Sequence, residues 1–325
     1  MTDIRHATPL SFPDTDELRF LPEGPCALAD GVFSWVGIQH GLNATCGSVN
    51  IYDLNSQTNR SFDLPGRPGF ALPCTTDTAL ATRFVVGCER TLGIFDTSDG
   101  SWTPFCEGID ADVENTIIND GMIVGNNLIF GTKDLEFATQ KAGLYLWRRR
   151  DQKLIRLRDD QICSNGKAIR TASDGGARLI DIDSPTRQIV SYPIDIDTAI
   201  LGDAEVIIDL TDDPAVPDGA ILTPDGTGVI VSMFLPGVAD HGQTRLYDIE
   251  SRELKTVWQT AGSPQNTCPA LVQHGDQLHL IITTAVEHMD AAARAACPNA
   301  GKLFSAEVDF PNPDNTPLSH FWTEA

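Results

Sequence analysis

Four short motifs in this chain pair a polar, oxygen-bearing side chain with an adjacent glycine: Glu23-Gly24, Asn119-Asp120-Gly121, Asn165-Gly166 and Asp218-Gly219. Two carboxylates and one or two amide oxygens form an oxygen-only donor set. Such a set suits a hard divalent cation such as calcium, magnesium or manganese, with water completing the shell. A histidine-based zinc site is not indicated, because the seven histidines show no HExxH or equivalent spacing. Taken alone, each motif reads as an ordinary Asn-Gly or Asp-Gly turn. Their spacing is what sets them apart. Asn119 to Asn165 and Asn165 to Asp218 are each about one repeat, and Glu23 to Asn119 is about two.

The repeat itself is a short strand in which an aromatic residue precedes a turn rich in Asp, Ser, Asn or Gly. It occurs six times, at 47–57, 92–100, 143–152, 187–197, 244–253 and 302–310. Six such units predict an all-β, six-bladed β-propeller with four-stranded antiparallel blades around a central channel. The polar–glycine motifs would then lie just before the innermost strands, converging on the axis. Glycine suits that position because the backbones crowd there. The corresponding stretch of the second blade, Pro68-Gly69-Phe70, is apolar and predicts wall rather than ligand.

Residues 1–20 read as an extended lead-in and 21–325 as one propeller domain, with one short helix expected in the Ala-rich stretch 286–297. The net charge of −22 argues against nucleic-acid and anionic-membrane partners. No stretch reaches the roughly 18 apolar residues of a membrane span, and the N-terminus lacks the apolar core of a signal peptide. Eight scattered cysteines without a CxxC pair fit reduced, packed thiols. Together these features predict a soluble cytoplasmic protein, monomeric or dimeric. Arg148-Arg149-Arg150 reads as a solvated hairpin tip, Cys163 as a packed thiol, and Asp183 as a turn-shaping residue. Trp35 and His40 read equally as pocket border or packing.

In order and spacing, several motifs resemble the gluconolactonase/regucalcin (senescence marker protein) family of six-bladed propellers. They are LPEGP (21–25), INDG with LIFGT (118–132), CSNGKAIRTASDGGARLIDIDSPTRQIVSYPID (163–195), VPDGAILTPDGTGVIV (216–231), and NTCPAL, IITTA and PNAGKLF near the end. The resemblance implies a metal-dependent hydrolase that opens a small sugar lactone. It implies Glu23, Asn165 and Asp218 as ligands of one divalent metal, with calcium first and magnesium, manganese, zinc or iron as alternatives. It also implies Asp218 as the general base, and Asn119 and Glu136 as substrate-binding residues. The sequence departs from the family at Ile117, where many members carry an arginine that contacts the substrate, and in a longer segment at 234–243. Three other functions remain open: another ester or phosphotriester hydrolase, a non-catalytic calcium-binding protein, and a peptide-recognising propeller. No GxSxG elbow, Walker loop or GxGxxG is present.

Overall fold

The computed structural model describes every residue except 1, 12–14, 76–79, 313–316 and 324–325. The chain opens with β1 (Asp3–Pro9) and the single turn α1 (Asp16–Arg19). Four antiparallel meanders follow. The first is β2 (Pro22–Ala29), β3 (Val32–Gly37), β4 (Ser48–Asp53) and β5 (Thr58–Asp63). The second is β6 (Pro68–Pro73), β7 (Arg83–Cys88), β8 (Thr91–Asp96) and β9 (Ser101–Cys106). The third is β10 (Thr116–Val124), β11 (Asn127–Asp134), β12 (Ala142–Arg148) and β13 (Lys153–Gln161). The fourth is β14 (Ser164–Thr171), β15 (Ala177–Asp183) and β16 (Gln188–Asp195), with β17 (Ile200–Leu201) and β18 (Glu205–Asp209) both pairing with β16.

The last two meanders are fused. They are β19 (Val216–Leu222), β20 (Gly228–Phe234), β21 (His241–Asp248) and β22 (Leu254–Ala261), then β23 (Asn266–His274), β24 (Gln277–Thr284) and β25 (Phe304–Val308). β1 runs parallel to β22, with Asp3 opposite Thr256, and its end pairs antiparallel with β25, with Thr8 opposite Ser305. The result is one eight-stranded sheet in place of two separate blades. The expectation of six separate four-stranded sheets is corrected on this point, because a strand from the start of the chain bridges two of them. The extended lead-in is therefore a sheet strand in its own right.

All six aromatic–turn repeats fall on the third strand of their meander: β4, β8, β12, β16, β21 and β25. Their aromatics, among them Tyr52, Phe95, Tyr192, Tyr247 and Phe304, are buried in the core. Burying a side chain of this size contributes about 1.5–3 kcal/mol. The aspartates that follow tie the hairpins. Asp53 Oδ1 accepts from Asn55 N at 2.8 Å, and Asp96 Oδ1 accepts from Ser98 N at 2.9 Å. The Ala-rich stretch yields α2 (Ala291–Ala296), capped by the Asp290 side chain.

The first strands of the meanders pack side by side in a closed ring: β2, β6, β10, β14, β19, β23 and back to β2. Each carries a register shift against its neighbour within the meander. A bulge turns side chains away from strict alternation, and on these strands it re-aims them at the axis. Close approach explains two of the glycines. A Cβ on Gly166 would lie 2.7 Å from the Asp218 carbonyl oxygen, and one on Gly219 would lie 2.5 Å from Cys268 Sγ.

Candidate functional site

The first strands run between two cavities. Leu21, Glu23, Asn119, Asn165, Val216 and Asp218 line one of about 360 Å³. A few residues further along the same strands, Gly24, Asp120, Lys167 and Ala220 line the other, of about 490 Å³. Glu23, Asn119, Asn165 and Asp218 therefore come together in one pocket from four different meanders. Asp120 lines the second cavity, because the bulge between Ile118 and Gly121 turns it and Asn119 to different sides of the ring. The four motifs sit within the first strands, at their bulges, and not ahead of them as the sequence suggests.

A chain of hydrogen bonds fixes how the two amides are turned. Ser184 Oγ donates to the Pro217 carbonyl at 2.7 Å, so towards Asn165 it can only accept, and it receives Asn165 Nδ2 at 2.8 Å. This turns Asn165 Oδ1 the other way, where it accepts Asn119 Nδ2 at 2.6 Å. Asn119 Nδ2 also donates to the Ser164 carbonyl at 2.9 Å, which leaves Asn119 Oδ1 without a protein donor among the described residues. Asp183 holds the preceding turn by accepting Cys163 N at 2.8 Å and Ile162 N at 3.1 Å. Beneath the site, Lys167 Nζ donates to the Asn165 carbonyl at 2.7 Å and to Ser164 Oγ at 2.8 Å, and it pairs with Asp181 at 3.3 Å. The Asp-Ser-Pro-Thr stretch thus positions Asn165, and through Pro217 it also holds the strand that carries Asp218.

The two carboxylates are electrostatically uncomfortable. Burial pushes Glu23 well above the usual carboxylate range, and Asp218 and Asp120 add repulsion. Burial likewise raises Asp218. Lys133 counters that rise, while Asp120 and Glu287 reinforce it. Carboxylates gathered without matching cations prefer the neutral form until a positive charge joins them. No group of three or more His, Cys, Asp or Glu suited to a metal is found among the described residues. A hard cation here would need an amide oxygen as well, and Asn165 presents one already turned away from Ser184.

Glu136 lies elsewhere. Its carboxylate accepts Asn115 Nδ2 at 3.2 Å and stands 3.6 Å from Lys141 Nζ, with the side chain 60% exposed. Asp134 folds this loop by accepting the backbone N–H groups of Glu136, Ala138 and Thr139. The neighbouring Phe137 lines the cavity instead. Trp35 is core, fully buried, with its indole N–H on Asn59 at 3.0 Å. His40 packs beside Cys46. Cys163 lines the pocket, and burial raises its thiol far above the ordinary range. The arginine run forms a tight turn at a hairpin end, where Arg148 bonds Asp151 at 2.8 Å. Ile117 is buried, and its cross-strand partner is Lys133.

Sequence reading missed Lys133, Ser184, Glu287 and His288, all of which line the pocket. From the longer segment at 234–243, Phe234 and Pro236 contribute an apolar wall.

The sequence profile of the SMP-30/gluconolactonase/LRE-like region matches residues 21–286. The chain belongs to this family. Its curated relatives include YvrE of Bacillus subtilis (strain 168), whose name proposes a sugar lactone lactonase. It is 27% identical over 180 residues, 55% of this chain and 57% of that protein. A protein of Rhizobium meliloti (strain 1021) with the same proposed activity is 30% identical over 138 residues, 42% of this chain and 44% of its own length. These matches therefore span about half of the relatives' lengths. Among solved structures, a calcium-binding protein, regucalcin, of Agrobacterium tumefaciens strain C58 superposes with a TM-score of 0.78. Its identity is 21%, covering 99% of this chain and 98% of that one. A gluconolactonase of Xanthomonas campestris superposes with a TM-score of 0.61 at 14% identity, covering 91% and 88%. These superpositions establish an all-β propeller-like fold. No helix among the described residues is long and apolar enough to cross a membrane.

Proposed function

We propose that this chain is a six-bladed propeller, its eight-stranded sheet counting as two blades, that opens a small sugar lactone at a divalent cation on its axis. The observation that carries the reading is the meeting of Glu23, Asn119, Asn165 and Asp218 in one pocket from four separate meanders. Family membership and the sugar lactonase names of its relatives supply the reaction class. Glu23, Asn165 and Asp218 would hold the cation. Calcium comes first because a structural neighbour is named as calcium-binding. A bound divalent cation supplies Lewis-acid polarisation of an ester carbonyl.

The chain's own residues do the rest. Asp218 accepts a proton from the attacking water, whose oxygen bonds to the lactone carbonyl carbon. The carbon–ring-oxygen bond then breaks, and the ring oxygen takes up the proton, giving one hydroxy acid. General acid–base help of this kind is worth about 10²–10⁴-fold. Asn119, whose Oδ1 is free, accepts a sugar hydroxyl. Ser184 and Lys167 keep Asn165 in place. A cavity of about 360 Å³ has room for a single sugar ring.

One observation favours a second reading. Leu21, Phe137, Val216, Phe234 and Pro236 give the pocket an apolar wall, which suits a less polar ester. A calcium-supplemented panel of aldonolactones, aryl esters and organophosphates separates the two. Preferential hydrolysis of aldonolactones supports sugar lactonase activity. Preference for aryl substrates moves the chemistry to the second reading, and no turnover with any of them overturns both.

A further inference from the structure

Two lysines are buried near the axis, and they are treated very differently. Lys167 and Lys133 are each 6% exposed. Lys167 Nζ has two hydrogen bonds and an ion pair to Asp181 at 3.3 Å. Lys133 Nζ has no hydrogen bond and no ion pair within 4.0 Å among the described residues. Nor is it sealed in the core as an orphaned atom; its side chain lines the 360 Å³ pocket. Its backbone is held on both sides, opposite Ile117 in β10 and by a bridge to Cys163 just before Asn165. The ammonium is therefore positioned over the site by two elements while its hydrogen-bonding capacity is left unused.

An ammonium removed from bulk water without partners is costly, so such a group persists where a ligand supplies what is missing. Lys133 acts electrostatically on Glu23 and Asp218, lowering both, but it touches neither. A purely structural counter-charge would sit in contact, as Lys167 does with Asp181. Of the other basic side chains lining the pocket, Arg187 is occupied by the Asp213 and Ala215 carbonyls, and His288 stands 3.8 Å from the Glu287 carboxylate. Lys133 is left as the one uncommitted basic donor there among the described residues.

We infer that Lys133 is a substrate-contacting residue that holds, from β11, the carboxylate of the ring-opened hydroxy acid. The inference rests on the lactone-opening reading for its substrate class. The group that holds the product carboxylate also faces the lactone carbonyl oxygen, on which negative charge develops. Three donors on a flexible stem allow it to follow that change. The expected selectivity is for acids over neutral polyols of the same length.

The test is binding, independent of turnover. D-gluconate and sorbitol, which share a six-carbon chain and differ in the carboxylate, are titrated calorimetrically into wild type, Lys133→Met and Lys133→Arg. Each titration is run with saturating calcium and again with chelator. Wild type should prefer gluconate. Lys133→Met should weaken gluconate roughly 10- to 100-fold, the weight of a charge-assisted hydrogen bond, and leave sorbitol unchanged. Lys133→Arg should keep most of the preference and shows that a lost charge, and not a lost fold, is being read. Equal weakening of both probes by Lys133→Met overturns the inference, as does a wild type that shows no preference or binds neither. Failure of the lactone panel with the gluconate preference intact would remove the reaction and keep the binding role.

Discussion

Asp218 and Asp248 lie in the same sheet, one on β19 at the axis and the other at the end of β21, and their surroundings pull them in opposite directions. Asp248 is half-buried, and its Oδ1 accepts Ser251 N at 2.7 Å, a bond that lowers its pKa. Asp195 does the same at the equivalent turn of the fourth meander, accepting Thr198 N at 3.1 Å and Asp197 N at 2.9 Å. These carboxylates finish a hairpin, and local N–H groups bind one oxygen of each. Asp218 is buried and Glu23 half-buried, both beside further acids, and their pKa values are raised. Under the proposed function, a cation from outside the chain completes this pair. On that reading, the difference between hairpin end and axis separates carboxylates that finish turns from carboxylates that would hold a ligand.

The largest effect should come from exchanging the two kinds of acid. Asp218→Asn should lower lactone turnover by about 10²–10⁴-fold in steady-state assays, while Asp248→Asn leaves it unchanged. Equal effects would erase the distinction. Next in size is the packing that lets the axial strands meet. A methyl on Gly219 lies too close to Cys268, so Gly219→Ala should cost about 1–3 kcal/mol in denaturant unfolding. It should also weaken calcium binding, because Asp218 is its neighbour.

The pH dependence of stability has opposite signs in the two regions. With their folded pKa values raised above 4.5 and 3.8, Glu23 and Asp218 bind protons preferentially in the folded state. Their contribution is complete below those unfolded values and is lost as pH rises through the folded ones. In chelator, the melting temperature should therefore rise on acidification from about pH 7 to about pH 5, and less so in Glu23→Gln/Asp218→Asn. Asp195 and Asp248 have lowered values, so their contribution is present above 3.8 and is lost as pH falls further. Calorimetry across that range with the double variant separates the two. The smallest effect is Asp248→Ala, about 0.5–1.5 kcal/mol for one turn bond, read by urea unfolding with turnover intact.

Much of this architecture is legible along the chain because it is local. The aromatic–turn repeat marks the third strand of every meander, since an aromatic that packs in the core and an aspartate that closes the next hairpin must be close neighbours in sequence. The merger of two meanders by β1 is not legible, because its partners Thr256–Thr260 and Phe304–Ser305 lie at the far end of the chain. Glu23, Asn119, Asn165 and Asp218 are visible through their regular spacing. Their place inside the strands is not, because a bulge and a turn share the same Asp-Gly or Asn-Gly signature. Ser184 and Lys133 escape for another reason. Ser184 acts through Pro217 on the next meander, and Lys133 stands out by having no partner among the described residues, which no sequence pattern records. Glu136 shows the converse: carried over by position, it is drawn to Asn115 and Lys141 on the loop that Asp134 builds.

The account turns on a cation at the axis. Elemental analysis of protein purified without chelator, paired with calcium titration of wild type and Glu23→Gln/Asp218→Asn, tests it most directly. About one divalent ion per wild-type chain and none in the double variant is the expected result. A wild type that takes up no divalent ion when calcium is saturating, or a double variant that binds it equally well, would contradict it.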